Sequence, residues 1–422
     1  MMRRMWAAAG LVLAAAFPAP LAAQSPAAPP PSDEAIAALP LDARFGTLLM
    51  GQGRYLDAFG QVDAADPSEV GLGLKSSYRQ MRPALDGFHF VDPAASPSAP
   101  PDADLLAVYD GAVARDAVAA IVERARDRRI VIVNEAHDSP RDRAFILKLA
   151  AALKPLGFTH YAAETFVNQT PEMAAAAMGQ LTRDGYPVRS SGYYTNEPMF
   201  GYLVRRVLQL GYRPVAYEFA WTPGQAPKSR EESIAQRDQG QAENLARALE
   251  AAGPGARFLI HVGYSHATER RLPDGTEWLA GRLARLTGLD PLTIDQTDIS
   301  EGGHAALQRA LAPRLEAGAG VFFTDGAPVR QGRNGEAVDL QVIHPLVTAV
   351  DGRPDWLRET GRRAVAIPAE LLPATGRRLV QAFVAGEADD AVPLDQALAV
   401  AGQAPPVLYV PEGVELRWAG QA

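Results

Sequence analysis

The residues best placed to do chemistry are acids and histidines that follow short apolar runs. One run continues through Asn134 into Glu135-Ala136-His137, a second ends in Glu164, a third in Glu218, and a fourth runs out into Gly263-Tyr264-Ser265-His266. A single polar residue at a strand end says little, because strand ends are polar in any case. Four ends that each deliver an acid or a histidine describe a place where protons can be exchanged and charge held. Glu135 and His137 are two residues apart, so in an extended segment both side chains point the same way. His137 also just precedes a helix N-terminus. The positive end of that dipole disfavours imidazolium and suits the ring to act neutral, as a base or a metal ligand. The same helix end can hold an anionic group.

Two other segments add candidates. On the helix expected over 231–251, Ile234, Ala242, Leu245 and Leu249 share one face, with Asp238 in its middle and Arg237 and Gln241 at its margin. A carboxylate on an inward stripe needs a partner or a polar cavity. Either Arg237 and Asp238 reach the site, or they form a pair that ties helix to sheet. The segment 185–196 (GYPVRSSGYYTN) carries Tyr186, Tyr193 and Tyr194 and reads as a lid or substrate wall, or else as a solvated loop. His89, His160 and His261 read as structural, and His304 and His344 have no recognisable context. No HExxH, Walker loop, GxGxxG after a strand or GxSxG elbow occurs. That weighs against the common zinc proteases, nucleotide enzymes and serine hydrolases.

The elements that must position these residues alternate. Strands are expected at 129–134, 159–164, 213–218 and 257–263, with weaker ones at 291–295 and 320–324, and helical stretches between them. The pattern predicts an α/β fold with a mainly parallel sheet flanked by helices. In such sheets ligands bind beyond the carboxyl ends of the strands, where all four candidate ends fall. The helix after the first strand has Ser139 as N-cap, Pro140 at its first position and Asp142 completing a capping pattern. Phe145, Leu149 and Leu153 form its inner stripe.

The rest of the 422-residue chain is expected to divide as follows. Residues 1–23 read as a secretory signal, with Arg3 and Arg4, an apolar run at 6–17 and small residues up to Ala23. A Pro/Ala linker spans 24–32, a helical segment 33–91 and a Pro-rich connector 92–104. The α/β domain covers 105–326, and a small α+β extension 327–422. The chain is therefore expected in the periplasm or secreted, with no membrane span once the signal is removed. It has no cysteine, which excludes disulfides, thiolate metal sites, cysteine nucleophiles and a lipoprotein cleavage site. With 41 basic and 49 acidic residues and no basic block, nucleic acid is not an expected partner. A small molecule or peptide is.

These residues resemble a superfamily that groups the erythromycin esterases, the haem-binding ChaN-like proteins, the TIKI and TraB proteins and a domain of a bacterial toxin. Its hallmark is two Gly-x-x-His motifs at strand ends with a Glu at the end of an intervening strand. Here they are similar to Asn134-Glu135-Ala136-His137, Gly263-Tyr264-Ser265-His266 and Glu164, and the stretch 237–242 (RDQGQA) is similar to the ChaN-like Arg-Asp-x-x-Met-Ala pattern. The resemblance covers roughly 109–295. The first motif departs from it, because Asn134 stands where the family has glycine.

Members of that superfamily differ in chemistry, so several readings follow. The first is an exported hydrolase. His137 would be general base, Glu135 would orient it or share that role, and His266 and Arg237 would stabilise developing negative charge. Glu164 would position water or bind a metal, and Tyr193, Tyr194, Glu218, Asp238 and Tyr264 would line the substrate pocket. His137, His266, Glu135 and Glu164 offer nitrogen and oxygen ligands suited to Mn²⁺, Co²⁺ or Zn²⁺. The alternatives are a protein that binds haem or iron non-covalently, and a non-catalytic envelope protein that keeps the fold for partner binding.

Overall fold

The computed structural model describes residues 31–89, 100–220, 229–272, 275–316 and 318–422. The expected signal segment and most of both linkers lie outside these residues. Nine short strands follow one another from residue 113 onward: β1 (Val113–Asp116), β2 (Ile130–Glu135), β3 (His160–Ala163), β4 (Arg213–Ala216), β5 (Phe258–Gly263), β6 (Leu292–Asp295), β7 (Gly320–Thr324), β8 (Ala327–Pro328) and β9 (Leu340–Gln341). Six of them form one fully parallel sheet in the order β4-β3-β5-β2-β6-β9.

The apolar runs dictate this arrangement. In β2 every residue is buried, as two-sided burial requires. Val131 and Val133 face a core built with helices Ala117–Ala125, Pro140–Leu153 and Pro198–Gln209. Ile130 and Ile132 face the opposite core, where Ala242, Leu245 and Leu249 of helix Arg230–Ala252 pack with helix Leu279–Thr287. The two-residue period of a strand therefore serves two helical layers at once. Burial of every long apolar side chain on both faces contributes about 1.5–3 kcal/mol each.

The 320–324 strand forms as expected but leaves the main sheet. β7 pairs antiparallel with β1 and β8. The main sheet instead takes its last strand, β9, from beyond residue 326, and Ile294 and Asp295 pair with Leu340 and Gln341. Farther along, Arg377–Val384 pairs antiparallel with Asp395–Val400 and Leu416–Gln421, and Arg363–Ala366 with Val407–Val410.

The amino-terminal segment is a cluster of short helices, including Leu41–Gly46, Tyr55–Asp63 and Leu72–Met81. Phe45, Leu48, Leu49, Leu56 and Phe59 are buried in it, as their spacing predicts, together with Leu379 from the C-terminal sheet. The cluster is anchored by Gln421, which accepts from the Leu56 amide and donates to the Gly53 carbonyl. Tyr55 donates to the Asn196 carbonyl at 2.6 Å. It is thus clamped between the C-terminal sheet and the segment 185–196. No helix among the described residues is long and apolar enough to cross a membrane.

Candidate functional site

Strands β2, β3, β5 and β6 end at one edge of the sheet, and a cleft of about 570 Å³ opens there. His137, Glu164, Arg237, Tyr194, Tyr264 and His266 line it. The cleft also takes Arg79 and Gln80 from the amino-terminal helices and Asp298 from the loop after β6. The distant segments expected to converge therefore share one cavity.

His137 is the most tightly specified of these side chains. Its Nδ1 lies 3.0 Å from Glu135 Oε1. Its ring stacks on Tyr194, with centroids 4.1 Å apart and planes 16° apart, and meets Tyr264 edge-on. Glu135 itself is inaccessible. Arg143 donates Nε to Oε2 at 2.7 Å and a terminal nitrogen to Oε1 at 3.0 Å, and also donates to the His137 carbonyl at 2.7 Å. Burial pushes the Glu135 carboxyl up, but Arg143, His261 and His137 outweigh it and hold it well below the ordinary carboxylate range. Arg143 also donates to Glu197, whose carboxylate caps helix Pro198–Gln209 by accepting from the Met199 and Phe200 amides. Glu135 is therefore a fixed anion that orients His137. Both of its oxygens are engaged, by Arg143 and by the two histidines.

The second motif works by close approach. Gly263 has φ −91°, a backbone any residue can adopt. A β-carbon there would lie 2.4 Å from His137 Cε1 and 2.5 Å from Nε2. Glycine is required because the imidazole lies against its backbone. The unusual conformation falls on the next residue, Tyr264, at φ +42°. In the first motif the glycine is not missed. Asn134 is fully buried, donates to the Tyr264 carbonyl at 2.8 Å and to Asp295 at 2.6 Å, and accepts from the Gln296 amide at 2.8 Å. It pins the end of β2 to the ends of β5 and β6.

Glu164 is the hub of the opposite wall. It accepts from the Gly263 amide at 2.6 Å and from Arg237. Burial pushes its carboxyl up, but Arg237, His266 and His137 together hold it far below the ordinary range. Each oxygen keeps a second lone pair for water or substrate. His266 Nδ1 lies 2.6 Å from Asp238, which is completely buried. Burial works against the imidazolium, but Asp238 and Glu164 prevail and raise the His266 pKa.

Several expected roles change. Glu218 does not line the cleft. It is bound by Arg237 Nε at 2.9 Å and Gln241 at 3.0 Å, because β4 ends at Ala216 and turns the carboxylate toward helix Arg230–Ala252. Asp238 lies beneath His266 as its partner and makes no pair with Arg237, which bridges Glu164 and Glu218 instead. Tyr193 turns into the amino-terminal helical cluster, and only its neighbour Tyr194 reaches the cleft. The segment 185–196 is a wall rather than a lid. Gly192 bridges to Phe166, Val188 to Ala391, and Thr195 and Asn196 are buried. Among the described residues no three His, Asp or Glu side chains surround a point where a metal ion could sit. Glu135 and Glu164 are bound to arginines, and His266 lies against Asp238.

Sequence reasoning missed Arg143, Arg79, Gln80 and Asp298. Asp298 accepts from the Asn334 amide at 2.5 Å, and burial beside Asp295 pushes it up to about 7. Arg79 pairs with Asp138 at 2.9 Å and also reaches the Tyr264 hydroxyl. Arg143 alone carried a signal, as one of three charges at the start of a helix that is apolar beyond them except for Lys148.

No protein-family model matches the chain, and no curated protein matches it. Distant likenesses to solved structures exist. One described as bacterial protein toxins aligns at 14% identity and a TM-score of 0.35 over 62% of this chain and 57% of that one. The RRSP effector domain of a MARTX toxin from Vibrio vulnificus CMCP6 aligns at 15% identity and 0.34, over 60% and 55%. The type III effector HopBA1 aligns at 16% identity and 0.34, over 56% and 96%.

Proposed function

We propose that the protein is an exported hydrolase of the erythromycin-esterase type that activates water with histidine and glutamate and without a bound metal. The observation that supports this most is the pairing of His137 with a buried, ionised Glu135. A carboxylate at Nδ1 fixes the tautomer with the proton on that nitrogen and leaves Nε2 as the basic one. The side chain lines the cleft, so Nε2 is the atom that takes a proton from water. His266, whose protonated form Asp238 favours, and Arg237 face the same cavity and stabilise the oxyanion that forms. Glu164 lies between the base and these cations and keeps lone pairs with which to orient the water. The substrate is a small molecule or peptide whose scissile group enters the cleft that Tyr194 and also Trp278 help to line.

The test is a panel of esters, lactones and amides assayed with and without chelator, on the native sequence and on His137→Ala. Removing a general base costs about 10²–10⁴-fold in rate. Chelator-insensitive turnover that falls by that factor in a folded variant supports the proposal. Full turnover by His137→Ala, or complete loss with chelator alone, overturns it.

A further inference from the structure

His261 occupies the middle of β5 and is almost completely buried, yet it is no ordinary core histidine. Its Nε2 lies 2.9 Å from Glu135 Oε2, in a bent contact. Its Nδ1 lies 2.8 Å from the hydroxyl of Tyr161, which sits on the neighbouring strand β3. Burial pushes the Tyr161 phenol well above its ordinary value, so it stays protonated and donates. That donation makes Nδ1 the acceptor and places the ring proton on Nε2, toward the carboxylate. Phe200 stacks on the His261 ring, 5.0 Å away and 13° from parallel, and the same Phe200 ring lies beneath the Arg143 guanidinium. Glu135 therefore stands between two imidazoles, one facing the cleft and one facing the core.

We infer that His261 is a positioning residue for His137, acting through the carboxylate that the two rings share. Glu135 divides its acceptor strength among Arg143, His261 and His137. A donor on Oε2 holds the carboxylate plane so that Oε1 meets His137 Nδ1, and limits how strongly Oε1 pulls on that proton. The inference deepens the hydrolase proposal but is tested without turnover.

Protein labelled with ¹⁵N in its histidines is read by NMR at neutral pH. The two rings should carry their protons on different nitrogens, His137 on Nδ1 and His261 on Nε2. His261→Leu should move the His137 Nδ1 proton downfield, because Glu135 then leans on fewer donors. His261→Gln, which keeps an N–H donor, should restore the native position. Tyr161→Phe, which removes only a hydroxyl, should release the His261 tautomer and shift the same proton in the same direction. A native His261 protonated on Nδ1, or a His137 resonance that ignores His261→Leu and Tyr161→Phe, overturns the inference. Absence of hydrolase activity leaves these spectra unchanged, so the two failures are distinct.

Discussion

The two cleft histidines hang from the same edge of one sheet, yet they are held in opposite ways. Behind His137, the charge of Glu135 is committed to the fully buried Arg143. Behind His266, the equally buried Asp238 has no arginine among its ion pairs in the described residues, and it raises the pKa of the imidazole instead. A carboxylate gripped by an arginine, even a shared one, orients its histidine. A carboxylate left alone with an imidazole favours its protonated form. One sheet edge thereby supplies a base and an electrostatic stabiliser from the same two side-chain types.

The sharpest way to break this contrast is to remove the arginine. Arg143→Met leaves Glu135 and Glu197 buried without their cation, and should cost about 3–5 kcal/mol in urea unfolding at neutral pH. Arg237→Met should cost less. Glu164 would be left buried, but Arg237 is one-third exposed and its other partner Glu218 one-quarter exposed, so water can replace part of what is lost. Equal losses for the two variants would show that Arg143 is not the special support of the His137 side.

Much of this edge was legible in the sequence because strand ends are local signals. The runs before Glu135, Glu164 and Gly263 formed strands close to their expected limits, and parallel pairing then brought their ends together. What tied the side chains down was not local. Arg143 meets Glu197 across 54 positions, and Asp238 was read against its neighbour Arg237 although its partner His266 comes from another element. His261 looked like a core residue because it sits inside an apolar strand. Nothing in that strand reveals that Glu135, on the next strand, presents an oxygen to it. Tyr193 and Tyr194 are adjacent and of one type, and only packing against the amino-terminal helices decides which one enters the cleft.

A second test separates close approach from charge. Gly263→Ala carries no backbone penalty at φ −91°, yet its methyl would displace the His137 ring. Overpacking should cost about 1–3 kcal/mol. The stacking of His137 on Tyr194 should be lost, visible as altered ring-current shifts of the His137 protons, while the His266–Asp238 pair stays intact. If His266 shifts change as much as those of His137, the two halves are mechanically coupled and the contrast drawn above is too simple.

The smallest expected effect is the most specific to the second half. His266 has a folded pKa above its ordinary value of 6.5, so it contributes stability that is fully present below about pH 6.5 and is lost as pH rises through the folded value. Glu135 and Glu164 have depressed pKa values, so their contribution is present above about pH 4.5 and is lost on acidification. Asp298, pushed up to about 7, also weakens the fold as pH rises, so the native slope alone does not isolate His266. The difference between the native protein and Asp238→Asn does. With its nearest charge partner gone, His266 keeps only Glu164 to favour its protonated form, and the stability difference should be about 1 kcal/mol at pH 6 and shrink above neutrality. The acid limb, set by Glu135 and Glu164, should be shared by both proteins. A difference that instead grows with pH would mean that Asp238 is not what holds the charge on His266, and the two carboxylates would no longer differ in kind.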